Sequence, residues 1–159
     1  MDLRGFVLAT IRLGSRRDIF CCRTKIHKVV FLASQEFGLK FASFIPYHFG
    51  PWSPEVHNEL RKLEDEKLLI QKALTRTAAG YTAKAYLLRL TKRGKAEARR
   101  AAARLPPEVY KYVEEWVKWD VFRLIGYVYV RYPYFASHSA TADDELRPAT
   151  ATAPPARSF

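Results

Sequence analysis

The chain has 159 residues, 48% of them apolar and 14% aromatic, enough for one domain with a real core and too apolar for a chain disordered throughout. Its 27 Lys and Arg stand against 16 Asp and Glu, and the formal charge of +11 points to an anionic partner. No basic amphipathic helix carries a wide apolar face, so double-stranded DNA is the better match than a membrane surface. The two cysteines, Cys21 and Cys22, are adjacent and lack Cys-x-x-Cys spacing, which makes them core thiols of a reducing cytosol. The apolar run Phe6 to Leu13 is interrupted by Arg12 and is far shorter than the roughly 20 residues of a spanning helix. The expectation is a soluble cytoplasmic protein.

In chain order, Leu3, Phe6, Val7, Ile11 and Leu13 predict a short core helix ending at Gly14-Ser15. After the polar link Arg16-Arg17-Asp18, Thr24 is the expected N-cap of a second helix. Its apolar positions Ile26, Val29, Val30, Ala33 and Phe37 recur at helical spacing, and Gly38 closes it. Phe41 to Phe49 reads as one extended segment leading into a constrained passage that holds Pro46, Gly50, Pro51 and Pro54. There Ser53 is the N-cap, Pro54 suits the first helical position and Glu55 complements the dipole of a third helix that buries Val56, Leu60 and Leu63.

Leu68-Leu69-Ile70 leaves that helix as a strand, and Tyr81 to Leu90 returns as its hairpin partner across the polar loop Thr75 to Gly80. Thr91 caps an Ala- and Arg-rich helix running to Arg104, which Pro106-Pro107 break. From Glu108 to Arg131 an apolar stripe, Val109, Val113, Val117, Val121, Leu124 and Val128, follows helical spacing, with Trp116 and Trp119 widening it. Gly126 and the sheer length leave open whether this is one helix, and the stripe either packs on the domain or forms a homodimer. Residues from Ser139 on are too poor in large apolar groups to offset chain entropy. The expected organisation is a winged-helix domain over 1–104, a C-terminal helical extension over 105–135 and a disordered tail over 136–159.

Charge is unevenly spread. Residues 1–50 hold 8 Lys and Arg against 3 Asp and Glu, and residues 73–104 hold 9 against 1. The stretches 51–72 (4 against 5) and 105–159 (6 against 7) are each net −1.

Three helices followed by a two-stranded hairpin is the element order of a winged helix, so the expected fold class is α+β, mostly helical, a winged helix-turn-helix with a C-terminal helical extension. The passage Leu88-Arg89-Leu90-Thr91-Lys92-Arg93-Gly94-Lys95 resembles the "Y-x-L-T-x-x-G" string that follows the wing in many archaeal and bacterial winged-helix regulators, with Leu88 at the tyrosine place. A closer resemblance covers residues 20 to 100. Arg23-Thr24-Lys25-Ile26-His27-Lys28-Val29-Val30-Phe31-Leu32 and Tyr47-His48-Phe49-Gly50-Pro51-Trp52-Ser53-Pro54-Glu55-Val56 resemble the "R-T-K-L-Q-K-L-V-F-L" and "Y-x-x-G-P-x-S-x-E-L" signatures of a family of small prokaryotic winged-helix proteins, YwgA-like. More distantly they are similar to the Panacea (SocA-like) antitoxin domain. A weaker echo runs from Tyr129 to Ser139. His27 stands where relatives often carry Gln, and Tyr134 where an acidic residue is usual. The resemblance implies a winged-helix fold and a regulatory or antitoxin-type role without catalysis.

Two functional expectations follow. In the first, the protein is a DNA-binding regulator of transcription that holds duplex backbone through Arg12, Arg23, Lys25, Lys28, Arg76, Lys84, Lys92, Arg93 and Lys95. His57, Asn58, Arg61 and Lys62 share one face of the third helix for base contact. Against major-groove insertion, Glu55, Glu59, Glu64, Asp65 and Glu66 outnumber Arg61, Lys62 and Lys67 on that helix. In the second, the chain is an antitoxin-like or adaptor module that binds another protein through Tyr47, His48, Trp52, Glu55 and Glu59. His27, His48, His57 and His138 show no metal-ligand spacing, and no phosphate loop or nucleophile elbow is present, so no catalysis, cofactor or metal is expected.

Overall fold

The computed structural model describes residues 1–15, 21–78 and 81–138. The link Arg16-Arg17-Asp18, Ala79, Gly80 and the expected tail from residue 139 on lie outside them. The described residues form an α+β structure, mostly helical: α1 (Leu3–Ser15), α2 (Arg23–Phe37), β1 (Ile45–Tyr47), β2 (Gly50–Trp52), α3 (Pro54–Asp65), β3 (Leu69–Ala78), β4 (Tyr81–Leu90), α4 (Lys92–Ala103), α5 (Pro107–Lys118) and α6 (Val121–Arg131), with a 3-10 helix at Pro133–Ala136. None of these helices is long and apolar enough to cross a membrane.

α1 is the central element. Asp2 Oδ1 caps it by accepting the Gly5 amide at 2.8 Å, and it buries Phe6, Val7, Leu8, Ala9, Ile11 and Leu13 against α2, α3, α4 and α5. Buried side chains of this kind each contribute about 1.5–3 kcal/mol, so α1 needs no strong helix propensity of its own. The one polar group in its buried stretch, the Thr10 hydroxyl, is satisfied by the Phe6 carbonyl at 2.8 Å.

α2 starts two residues earlier than the sequence predicts. Cys22, not Thr24, is the N-cap, and its side chain makes no capping bond; Gly38 ends the helix in the left-handed region at φ 65° as expected. Cys21 and Cys22 are both buried and are not joined in a disulfide. Their backbone pairs with β4, where Leu88 N–H donates to the Cys21 carbonyl at 2.9 Å and Cys22 bridges Leu87.

The stretch expected as one extended segment is in fact half of a hairpin. β1 and β2 pair antiparallel with Ile45 opposite Trp52, Pro46 opposite Pro51 and Tyr47 opposite Gly50. Two facing prolines have no N–H to exchange, so they occupy the non-hydrogen-bonded pair, and a strand of three residues centred on proline leaves no alternating pattern to read. β3 and β4 form the larger ribbon, ten paired positions from Leu69 opposite Leu90 to Ala78 opposite Tyr81, so the strands extend through most of the loop predicted at 75–80.

The stripe from Val109 to Val128 belongs to two helices. Asp120 restarts the chain by accepting the Phe122 amide at 2.9 Å, after Trp119 has left helical geometry at ψ 145°. All six stripe residues are buried within the chain, most of them in the same cluster as α1 and α2, which removes that stripe as a dimer face. α5 and α6 thus pack as part of the main body. Ala136, expected to open the tail, is buried in the 3-10 helix.

Candidate nucleic-acid interface

The polar side chains of the first two turns of α2 reach four different elements. The Arg23 guanidinium lies over the Tyr86 ring at 3.7 Å and donates through Nε to Gln71 Oε1, tying α2 to both strands of the ribbon. Lys25 Nζ donates to the Val117 carbonyl at 3.1 Å, in the last turn of α5, where a cation complements the negative end of the helix. His27 Nδ1 accepts the Ser53 amide at 3.1 Å, and Lys28 Nζ donates to the Pro51 carbonyl in β2 at 3.0 Å.

These bonds correct the expected DNA contacts. Lys25 is 1% exposed and Lys28 2% exposed, so neither reaches a phosphate on an approaching duplex. Both donate to backbone carbonyls of other elements, which sequence cannot show because a lysine at a helix start looks the same whether it points out or in. Arg23 is half-buried and held by Tyr86 and Gln71.

On α3 the predicted cap is observed. Ser53 Oγ accepts the Val56 amide at 3.2 Å and donates to Glu55 Oε2 at 2.9 Å, with Pro54 in the first turn. Val56, Leu60 and Leu63 are buried, and Asn58, Arg61 and Lys62 are exposed. His57 is half-buried beside Trp52, ring centroids 5.6 Å apart; burial first, then Arg23 and Arg61, hold its pKa below the usual value.

The acids of α3 are largely engaged inside the molecule. Glu55 accepts from Ser43 Oγ at 2.7 Å, which keeps its carboxyl below the usual range. Arg4 of α1 pairs with Glu66, with Glu59 at 3.7 Å and with Glu97 of α4 at 3.5 Å. Glu64 accepts from Gln71 at 3.1 Å. Glu55 and Glu59, expected as a protein-docking surface, therefore hold α3 to its neighbours.

Lys92, Arg93 and Lys95 are exposed on α4, as a DNA contact requires. Lys92, Lys95, Ala96, Arg99 and Arg100 fall on one face at i, i+3, i+4, i+7 and i+8, and together line a shallow surface groove. Lys95 also borders a larger groove of about 600 Å³, with Arg12, Arg89 and Leu87 to Leu90. Six cations thus form a continuous surface at the base of β4, and no carboxylate lines either groove among the described residues. The one acid of α4, Glu97, faces Arg4 on another side. Arg89, Arg99 and Arg100 were missed from sequence, although the helical spacing of Arg99 and Arg100 relative to Lys92 and Lys95 was available as a signal.

Strand alternation divides the remaining candidates. Lys84 and Tyr86 share the face of the ribbon that leads into the buried Leu88 and Leu90, and Arg89 lies on the opposite face. Lys84 is exposed, and the side chain of Arg76 lies outside the described residues. Tyr47 at 46% and His48 are exposed on the hairpin, with Trp52 half-buried behind them.

No protein-family model matches the chain, and no curated protein matches it in sequence.

Proposed function

We propose that this chain is a winged-helix DNA-binding regulatory protein that holds duplex backbone with the surface formed by Arg12, Arg89 and α4. Support for the winged helix is the order α1, the Cys21–Cys22 pairing with β4, α2, α3 and the β3–β4 ribbon, the β1–β2 hairpin being an insertion before α3. The observation that carries the DNA reading is the cation-only surface. Lys92, Arg93 and Lys95 occupy the first turn of α4, where a positive charge opposes the helix dipole by about 0.3–1 kcal/mol each and no acid offsets it. Fold stability does not explain that placement; neutralisation by phosphates does. The recognition-helix role of α3 is replaced by backbone holding through α4, with Asn58, Arg61 and Lys62 as the side chains left for base edges.

Six phosphate contacts correspond to a slope of log affinity against log salt of about −5, or roughly a thousandfold loss of affinity between 50 and 200 mM salt. Fluorescence anisotropy with a random-sequence duplex measures it. Absence of binding at the lower salt sinks the reading.

A second reading, an adaptor or antitoxin-like module, is favoured by one observation. Ile45 and Tyr47 on β1 and Tyr134 on the 3-10 helix that β1 touches are large apolar side chains left 49%, 46% and 69% exposed. If this surface docks a protein, Tyr47→Glu with Tyr134→Glu abolishes capture of that partner and leaves duplex binding intact.

A further inference from the structure

The inner face of the β3–β4 ribbon overlooks a cleft that backbone holding by α4 leaves unused. Its volume is about 290 Å³, close to the lower end of natural ligand pockets at roughly 300 Å³. Its walls come from the start of α2, the β1–β2 hairpin, the first turn of α3 and β4. Cationic or donor groups of Arg23, His27, Lys28 and Lys84 line it together with the rings of Trp52, Tyr47 and Tyr86; no Asp or Glu does.

Two buried groups in this lining have donors without acceptors. Lys28 Nζ has one acceptor within hydrogen-bond distance among the described residues, the Pro51 carbonyl, so an ammonium there carries two unmatched N–H groups. Burial pulls its pKa down to about 7. His27 is 3% exposed, and because its Nδ1 accepts the Ser53 amide, the proton of the neutral ring sits on Nε2, which has no partner among the described residues. Burial, followed by Lys28 and His57, holds that ring neutral. Beside them, α2 begins without a side-chain cap or an acid in its first turn, and Thr24 of that turn lines the cleft. A phosphate in the cleft would offer its several oxygens to these donors.

The rest of the lining is aromatic. Trp52 stacks on His27 at 5.7 Å between ring centroids and lies 5.5 Å from Tyr47, and its half-exposed ring faces the same space. A site that joins unmatched donors to stacking surfaces fits a ligand with a phosphate at one end and a flat ring at the other.

We propose that this cleft binds a nucleotide, its phosphate against Lys28, the Nε2–H of His27 and the start of α2, and its base against Trp52 and Tyr47. The same chemistry is offered by a free mononucleotide or by an unpaired, phosphorylated nucleotide of a strand. The inference stands apart from duplex holding, since none of Arg12, Arg89 and the α4 cations lines the cleft.

The experiment titrates the full chain with each of the four nucleoside monophosphates, adenosine, inorganic phosphate and a 5′-phosphorylated single-stranded tetranucleotide. Binding is followed by calorimetry and by quenching of tryptophan emission. Trp116 and Trp119 are 2% and 3% exposed, so quenching reports Trp52. At least one mononucleotide or the tetranucleotide is expected to bind, and Lys28→Met to weaken it at least about tenfold. Trp52→Leu weakens it by a similar factor while the circular dichroism spectrum is unchanged, which covers the case of a poorly folded Lys28 variant. Binding of the mononucleotide identifies the free ligand as the source; binding of the tetranucleotide alone identifies a strand. Absence of binding in every arm overturns the proposal, as does binding insensitive to both substitutions or inorganic phosphate binding as tightly as the nucleotides. None of these outcomes depends on whether the α4 surface binds duplex.

Discussion

A Cβ atom at position 94 would stand 1.9 Å from the carbonyl oxygen of Leu68, so the first turn of α4 and the residue before β3 touch through backbone alone. Around this contact Thr91 does two jobs. Its hydroxyl accepts the Gly94 amide at 3.1 Å, which caps α4, and donates to the Lys67 carbonyl at 2.7 Å. The Leu-Thr-Lys-Arg-Gly string is thus the joint that sets α4, with its cations, at the base of the ribbon.

Gly94→Ala must displace backbone, and we expect it to cost more than about 3 kcal/mol in a urea melt, the range of severe overpacking. Gly38 provides the control. Nothing lies within 4 Å of a Cβ there, and only its φ of 65° resists alanine, so Gly38→Ala costs about 1 kcal/mol. Equal costs for the two would refute the contact.

His27 and Ser53 make a second joint. Because His27 Nδ1 accepts the amide of the residue that caps α3, His27→Leu strands a buried N–H and costs about 1–3 kcal/mol. His27→Gln keeps an acceptor at that place and is expected to cost less than about 1 kcal/mol. Thermal melts of both variants settle the order, and a glutamine variant as unstable as the leucine one would break the explanation.

Lys28 makes stability depend on pH. Burial holds its pKa near 7 against 10.5 for a free lysine, so between those values the unfolded chain carries a proton that the folded chain has released. Stability is fully present above pH 10.5 and is lost as pH falls towards 7, by up to about 1.4 kcal/mol per unit. His27, its pKa also lowered by burial, acts in the same direction below about pH 6.5; Cys21, pushed up to about 12 by burial, acts in the opposite direction above about pH 9. Lys28→Met therefore flattens the unfolding free energy between about pH 7 and 9 and leaves the acid limb in place. A wild-type slope that survives this substitution would place the titrating group elsewhere.

Lys25 and Lys95 separate structure from binding. Lys25→Ala removes a buried donor from the end of α5 and is expected to lower stability by about 2–4 kcal/mol while leaving the salt slope of DNA binding unchanged. Lys95→Ala, at an exposed site, leaves stability within about 0.5 kcal/mol and makes the slope shallower by about 0.9. Paired melts and anisotropy titrations of the two variants read both quantities, and a salt slope altered by Lys25→Ala would return that residue to the interface.

Local signals carried most of the helical architecture. The Ser53-Pro54-Glu55 start, the Thr91 cap and the Gly38 stop are chemistry between near neighbours, so each is readable from a few residues and each is present in the structure. The buried stripe from Val109 to Val128 was equally plain, though its break at Asp120 was not, because an aspartate caps a helix or decorates one depending on the φ and ψ it adopts. The β1–β2 hairpin escaped because its strands are three residues long and each is centred on proline.

Which way a charged side chain points is a different kind of question. Arg23, Lys25 and Lys28 of α2 and Lys92 and Lys95 of α4 are the same residue types in the same kind of position, close to a helix start. Composition and spacing place all of them in a basic protein that wants an anion. Only the packing of α5 and the hairpin around α2 turns its lysines inward onto carbonyls, because those acceptors lie 92 and 23 residues away in the chain. α4 has the solvent on that side instead, and its cations stay free to meet a phosphate.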